Sequence, residues 1–231
     1  MLPLVVVRPA PGAEATCMAA RALGLEAEAF PLFAVHPLRW EAPARTEVDA
    51  LLLGSANALR HGGADLARYR GLPAYAVGET TAAAARAAGL DVVRTGTGGL
   101  QGLLVQIDPA HRRLLRLAGR ERISLEIPAH VTVLTREVYA SQALPLPGAL
   151  AARLRAPCLV LLHSAEAARH FARLCDSAGI VRSQIHVTAL GPRIAAAAGT
   201  GWAGLAAAPT ATDAALLALA KELCQGFTPG S

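Results

Sequence analysis

The sequence predicts an α/β fold in which one parallel-sheet unit is written twice. Three observations carry that reading. Short, continuous apolar runs alternate with helical segments, the pattern of parallel sheets covered by helices on both faces. Two stretches, AYAVGETTAAAARAAGLDVV (74–93) and VTALGPRIAAAAGTGWAGLAAAPT (187–210), repeat one order of apolar run, glycine, alanine-rich helix, glycine and apolar run. The 231 residues, 53% of them hydrophobic, suffice for one large domain or two of ordinary size.

The elements follow in order. Residues 2–8 (LPLVVVR) read as a strand, 12–24 as a helix ended by glycine, and 26–33 (EAEAFPLF) as a strand. Strand 49–55 (DALLLGS) leads into a short helix near ANALRHGG, and strand 73–78 (PAYAVG) into helix 79–89. Strand 91–96 and helix 99–107 come next. The order then restarts with strand RRLLRLAG, a short helix around RERISLEI and strand HVTVLTREVYA. Strand PCLVLLHS, helix AEAARHFARLCDSAG, strand IHVTALG, helix PRIAAAAG, strand WAGLAAA and helix TDAALLALAKEL complete the chain.

Laid side by side, LLLGSANALRHGG answers VLLHSAEAARHFA, and YAVGETTAAAA answers TALGPRIAAAA. Ser55 therefore matches Ser164 and Gly78 matches Gly191, with gaps of 78 − 55 = 23 and 191 − 164 = 27 residues. All four fall where a strand hands over to a helix, at the carboxyl edge of a sheet, where helix N–H groups bind anions without needing a lysine. The alternative for each is purely structural: the serines cap their helices and the glycines permit tight turns.

Composition narrows the function. The start, MLPLVVVRPAPG, lacks a basic leader and reads as a first strand. No apolar run approaches the ~18 residues of a membrane span, so the expected location is the cytoplasm, with no membrane partner. Cys17, Cys158, Cys175 and Cys224 form no C-x-x-C pair and read as small buried thiols, and the seven histidines are scattered, so no metal site is expected. Formal net charge is +5, and Lys221 is the only lysine. Arginine suits bidentate contact with carboxylate or phosphate, although a GC-rich coding sequence produces the same bias. With 4% aromatics and no basic cluster, nucleic acid is not an expected partner, and an acidic small molecule fits the charge. The glycine run RTGTGGLQG (94–102) leaves a nucleotide-binding enzyme as a rival, one weakened by spacing because Gln101 stands where the third glycine of G-x-G-x-x-G belongs.

Several segments resemble the uroporphyrinogen-III synthase family. LLLGSANALR is similar to that family's Thr/Ser-Ser-x-Asn-x-Val segment, and AYAVGETTAAAARAAGLDV to its V-G-x-x-T-A-x-x-L-x-x-x-G segment. LLRLAGRERISL resembles L-x-x-R-G-x-x-R-x-x-L, VTVLTREVYAS the strand ending in V-Y, and APTATDAALLALA the A-x-x-P-T-x-x-A-L-L stretch. The departures are Ile194 where a threonine is usual, Gly54 in place of a bulkier residue, and a short helix after Arg120.

The resemblance implies two doubly wound parallel-sheet lobes with swapped chain order. One comprises 1–35 plus 143–231 and the other 36–142, joined by a two-stranded connector from 31–38 and 131–141. It implies a hydro-lyase that cyclises hydroxymethylbilane, a linear tetrapyrrole with eight carboxylates, to uroporphyrinogen III. Ring D is inverted and water is lost, through an azafulvene cation and a spiro intermediate, in haem biosynthesis. No cofactor is required, the expected state is a monomer, and the preceding pathway enzyme is a candidate transient partner. Tyr139 is the candidate proton donor to the leaving hydroxyl, with packing of its ring as the alternative. Candidate substrate-binding residues are Arg8, Ser55, Ala56, Asn57, Gly78, Glu79 and Thr81, with Arg120, Ser164, Ala165, Gly191, Pro192 and Arg193. Arg8 and Arg116 are read as ending equivalent strands, each pairing either with substrate carboxylates or with an Asp or Glu of the protein. The rival functions are a catalytically inactive tetrapyrrole-binding or regulatory relative and a bilobal small-molecule binding protein.

Overall fold

The computed structural model describes residues 2–226. In chain order the elements are β1 (Leu4–Val6), α1 (Gly12–Ala22), β2 (Ala27–Ala29), β3 (Phe33–Pro37), β4 (Ala50–Leu53) and α2 (Asn57–His61). Then come β5 (Pro73–Val77), α3 (Glu79–Ala87), β6 (Asp91–Gly96), α4 (Gly99–Leu104), β7 (Arg113–Gly119) and β8 (Thr132–Ala143). The remainder is α5 (Gly148–Arg153), β9 (Cys158–Leu162), α6 (Ala165–Ser177), β10 (Ile185–Ala189), α7 (Pro192–Ala198), β11 (Gly204–Ala207) and α8 (Asp213–Gly226). No helix among the described residues is long and apolar enough to cross a membrane.

The chain divides into two compact units, Met1–Ala34 with Gln142–Ser231 and Val35–Ser141. The first contains a five-stranded sheet ordered β11-β10-β9-β1-β2, with every neighbouring pair parallel. In the second sheet the order is β3-β8-β7-β4-β5-β6, and the pairs from β8 to β6 are parallel.

Strand alternation explains why these runs are continuously apolar. In β1, Leu4 and Val6 join one core cluster with Leu159 and Leu161 of β9, beneath α1 and α8. Val5 joins the opposite cluster with Val160 and Leu162, beneath α6. Both faces are covered, so each successive side chain is buried, whichever way it points. The second sheet repeats this, with Leu51 and Leu53 in one cluster and Ala50 and Leu52 in the other.

Three sequence expectations need correction. The run 26–33 is two strands, β2 and β3, in different sheets. Pro31 removes a ladder donor and breaks the run. Residues 120–131 contain no helix. Ile123, Leu125 and Ile127 alternate with period two, Pro128 biases its predecessor to extended backbone, and side chains pin the segment. Gln101 both donates to the Glu126 carbonyl and accepts from its N–H, each at 3.0 Å. Finally, α5 went unpredicted; at six residues it is too short to show a clear period.

All four cysteines are free and buried. Burial pushes the Cys158 thiol up to about 11 and Cys175 to about 12, so these thiols behave as packing groups.

Candidate functional site

The clearest candidate lies in the second unit, at the carboxyl ends of β4, β5 and β7 and beside Tyr139 of β8. A depression of about 230 Å³ is lined there by Gly54, Ser55, Arg116, Gly119, Arg122 and Tyr139, among others. Ligands of open parallel sheets are expected at this edge, where the strands deliver loops and helix N-termini.

Tyr139 owes its place to a local irregularity. The β7–β8 register shifts between Ala118 and Gly119, setting Gly119 opposite Tyr139, and the Arg120 N–H donates to the Tyr139 carbonyl at 2.9 Å. A bulge of this kind re-aims a side chain. The ring lies over Gly119 so closely that a Cβ there would stand 2.7 Å from Cε2 and 2.8 Å from Cζ. Glycine at 119 is therefore a condition for Tyr139's position. The Tyr139 hydroxyl has no hydrogen-bond partner among the described residues, and the His61 ring lies 6.2 Å away between centroids.

Arg116 is the second feature. It is 6% exposed, on the face of β7 that otherwise packs Leu114 and Leu52 under α4. Its Nη2 donates to the Ile123 carbonyl at 3.0 Å, its Nε is buried without a partner, and no ion pair holds it among the described residues. Burial, followed by the nearby Arg122 charge, presses the guanidinium below its ordinary value. Arg122 is engaged differently: it donates to Glu137 at 2.6 Å and to the Arg120 carbonyl at 3.0 Å. Hydrogen bonding from Arg122 is the main cause that holds Glu137 low.

At the carboxyl edge of the first unit the charges are consumed internally. Arg8 Nη1 donates to Asp213 Oδ2 at 2.9 Å and to Oδ1 at 3.1 Å, and the Thr16 hydroxyl donates to Oδ2 at 2.8 Å. His163 Nε2 lies 3.2 Å from Oδ1. The contact with His163, then the Thr16 hydroxyl and the Arg8 charge, bring the Asp213 carboxyl down to about 2. Gly12 makes room for Arg8, since a Cβ there would meet its Nε at 2.6 Å.

Of the two partners open to Arg8, the structure thus supplies a protein carboxylate. Nor do Arg8 and Arg116 occupy equivalent places. Arg116 pairs in register with Leu52, three residues before Ser55, whereas the residue paired with Leu161, three before Ser164, is Val6.

The remaining predicted residues divide by unit. Ser55 lines the depression and accepts from the Asn57 N–H at 3.2 Å, while Ala56 is buried at the start of α2. Asn57 accepts from Arg60, Glu79 is paired with Arg86 at 2.6 Å, and exposed Arg120 lies 3.4 Å from Glu137. Thr81 is only 5% exposed, packed inside its unit. Gly78 opens α3 with φ +74° and ψ 154°, a conformation for glycine. In the first unit, Ser164 caps α6, accepting from the Ala167 N–H at 3.1 Å, and Ala165 begins that helix. Gly191, at φ −177°, is extended backbone, followed by exposed Pro192 and Arg193 in the first turn of α7. Ile194 packs against the core cluster. Sequence reasoning did not single out Gly119, although it is the glycine of the stretch that resembles L-x-x-R-G-x-x-R-x-x-L, and it missed Asp213, which lies 205 residues from Arg8.

The family model described as HEM4, Uroporphyrinogen-III synthase HemD, matches residues 15–218. The chain belongs to this family. Its fold is similar to that of uroporphyrinogen-III synthetase from Helicobacter pylori 26695, at a TM-score of 0.65 and 18% identity, covering 96% of this chain and 100% of that one. It is also similar to a mutant uroporphyrinogen III synthase from the extremely thermophilic bacterium Thermus thermophilus, at a TM-score of 0.55 and 16% identity, covering 98% and 100%. Both are mixed α/β proteins with parallel sheets, and at these identities the likeness is one of fold. No curated protein sequence gives a significant match.

Proposed function

We propose that the chain cyclises hydroxymethylbilane to uroporphyrinogen III, inverting ring D and releasing water. The family match across 15–218 carries this reading. In the proposed reaction Tyr139 donates its phenolic proton to the terminal hydroxyl, the C–O bond breaks, and water leaves an azafulvene cation. The cation is captured by the ring D carbon that already bears the bridge, forming the spiro centre. The old bridge bond to that carbon breaks, and the freed bridge carbon bonds to the other α-carbon of ring D. The proton lost there balances the one Tyr139 gave and restores the phenol. The unpartnered Tyr139 hydroxyl in the unit-two depression supports that role. Since a phenol is a weak acid, its contribution sits at or below the low end of the ~10²–10⁴-fold typical of general acid catalysis.

The enzyme's main task is conformational: holding a flexible acidic chain so that ring closure follows the inverted course. Backbone N–H groups after Ser55, Gly78, Ser164 and Gly191 bind substrate carboxylates in this reading, without cofactor. The two units descend from one duplicated α/β unit with swapped chain order, and the protein acts as a cytoplasmic monomer.

The test is a coupled assay with fresh hydroxymethylbilane that separates the type I and type III isomers. Predominantly type III product is expected without added metal or nucleotide. Product no different from the type I mixture formed without enzyme would leave a tetrapyrrole-binding relative as the better reading.

A further inference from the structure

We propose that Arg116 is a buried anchor for one substrate carboxylate and sets substrate affinity, a role that rests on the proposed tetrapyrrole reaction. An ionised group taken out of water is costly unless it is paired. Arg116, at 6% exposure, sits in an otherwise apolar layer, and its partner among the described residues is a carbonyl rather than a carboxylate. Its Nε has no partner. The corresponding register position of the other sheet holds Val6, fully buried, so this layer needs no charge for packing.

The second observation is the space beside it. Arg116 lines the depression that also holds Tyr139 and Ser55. The other charged groups facing it are Arg122, tied to Glu137, and Glu121. Arg116 is thus the cation of this depression whose charge no carboxylate neutralises among the described residues. The chemistry that answers it is a planar anion able to accept from a guanidinium fork, and an acetate or propionate side chain of a linear tetrapyrrole has that form. Arg116 does not touch the reacting hydroxyl in this scheme; it positions the substrate alongside Tyr139.

Arg116→Met tests the anchor because it keeps most of the length of the side chain and removes the charge. Binding is read with uroporphyrin, an octacarboxylate, through its own fluorescence, and melting temperature is measured alongside. Loss of a charge-assisted contact predicts affinity weaker by ~10- to 100-fold, a KM raised by a similar factor and kcat nearly retained. The melting temperature should equal or exceed that of the wild type, since an unpaired buried charge is gone. Arg116→Lys, with a charge but no fork, should bind between the two. Unchanged uroporphyrin binding and KM in Met and Lys variants would overturn the proposal, as would a wild type that does not bind uroporphyrin. The activity reading fails separately: a wild type that makes no type III product, yet loses uroporphyrin affinity with Arg116→Met, keeps the anchor and loses the enzyme.

Discussion

The carboxyl edges of the two sheets start from the same local plan and end in opposite electrostatic states. In the first unit Arg8, Thr16 and His163 converge on Asp213, and the arginine's charge is met within the protein. In the second, Arg116 is buried with a carbonyl for a partner, beside an open depression and a tyrosine with an unused hydroxyl. The difference teaches that a strand-to-helix junction is only a place where chemistry can be put. Whether it becomes a rigid ion-pair network or a receptive surface depends on side chains delivered from elsewhere in the chain. In the first unit that side chain is the first residue of α8; in the second, nothing acidic reaches Arg116 among the described residues.

The sharpest way to break this comparison is to move Tyr139. Gly119→Ala inserts a Cβ where the ring now lies, so the ring must shift. Its kcat for hydroxymethylbilane should fall by at least as much as that of Tyr139→Phe, for which we expect roughly ten- to a hundred-fold with KM nearly unchanged. A folded Gly119→Ala enzyme with full kcat would return the second edge to a packing role.

The junction glycines offer the next largest effect. Gly78 has φ +74°, whereas Gly191 is extended and has open space around it. Gly78→Ala should cost about 1–3 kcal/mol in denaturant unfolding, and Gly191→Ala within ~0.5 kcal/mol of zero. Equal costs would show that the two turns are more alike than their backbones indicate.

The paired serines give a smaller contrast. Ser164 caps the 13-residue α6, while Ser55 bonds to the N–H of Asn57 beside a five-residue helix whose first flanking residue is Ala56. Ser164→Ala should lose ~1 kcal/mol in the same unfolding measurement, and Ser55→Ala should lose less while weakening substrate binding modestly.

The smallest expected effect concerns acid. Asp213 titrates at about 2 in the folded protein, below the ~3.9 of an unfolded aspartate. Its contribution is therefore complete above pH ~4 and lost as pH falls towards ~2. Asp213 is over a third exposed, so solvent screening keeps this modest. Melting temperatures from pH 2 to 5 should fall less steeply in Asp213→Asn, while Arg116→Met should leave the slope of the wild type intact. A wild-type slope in Asp213→Asn would remove Asp213 from the account of the first edge.

Much of the architecture was legible from sequence because it rests on local periodicity. A run such as LLLGS, apolar at each successive position, belongs in a sheet covered on both faces. Serine or glycine after it marks the turn into a helix, so β4, β5, β9 and β10 and their following helices were readable one by one. Tyr139 was found through a resemblance of sequence, without its geometry. Local rules failed where short range was not decisive. Pro31 was the available signal for the break between β2 and β3, and the period-two alternation of Ile123, Leu125 and Ile127 was the signal against a helix.

By itself, then, the sequence determined the central strands and the turns that follow them, since burial on both faces of a parallel sheet writes itself into every residue of strands such as β4 and β9. Only the tertiary structure decided which charges meet. Arg8 and Asp213 are 205 residues apart, and Val6 and Arg116 can be compared only through the register of their neighbours. Gly119 is required because a ring from the adjacent strand folds over it. Such pairings depend on distances through space, and a linear pattern carries no record of them.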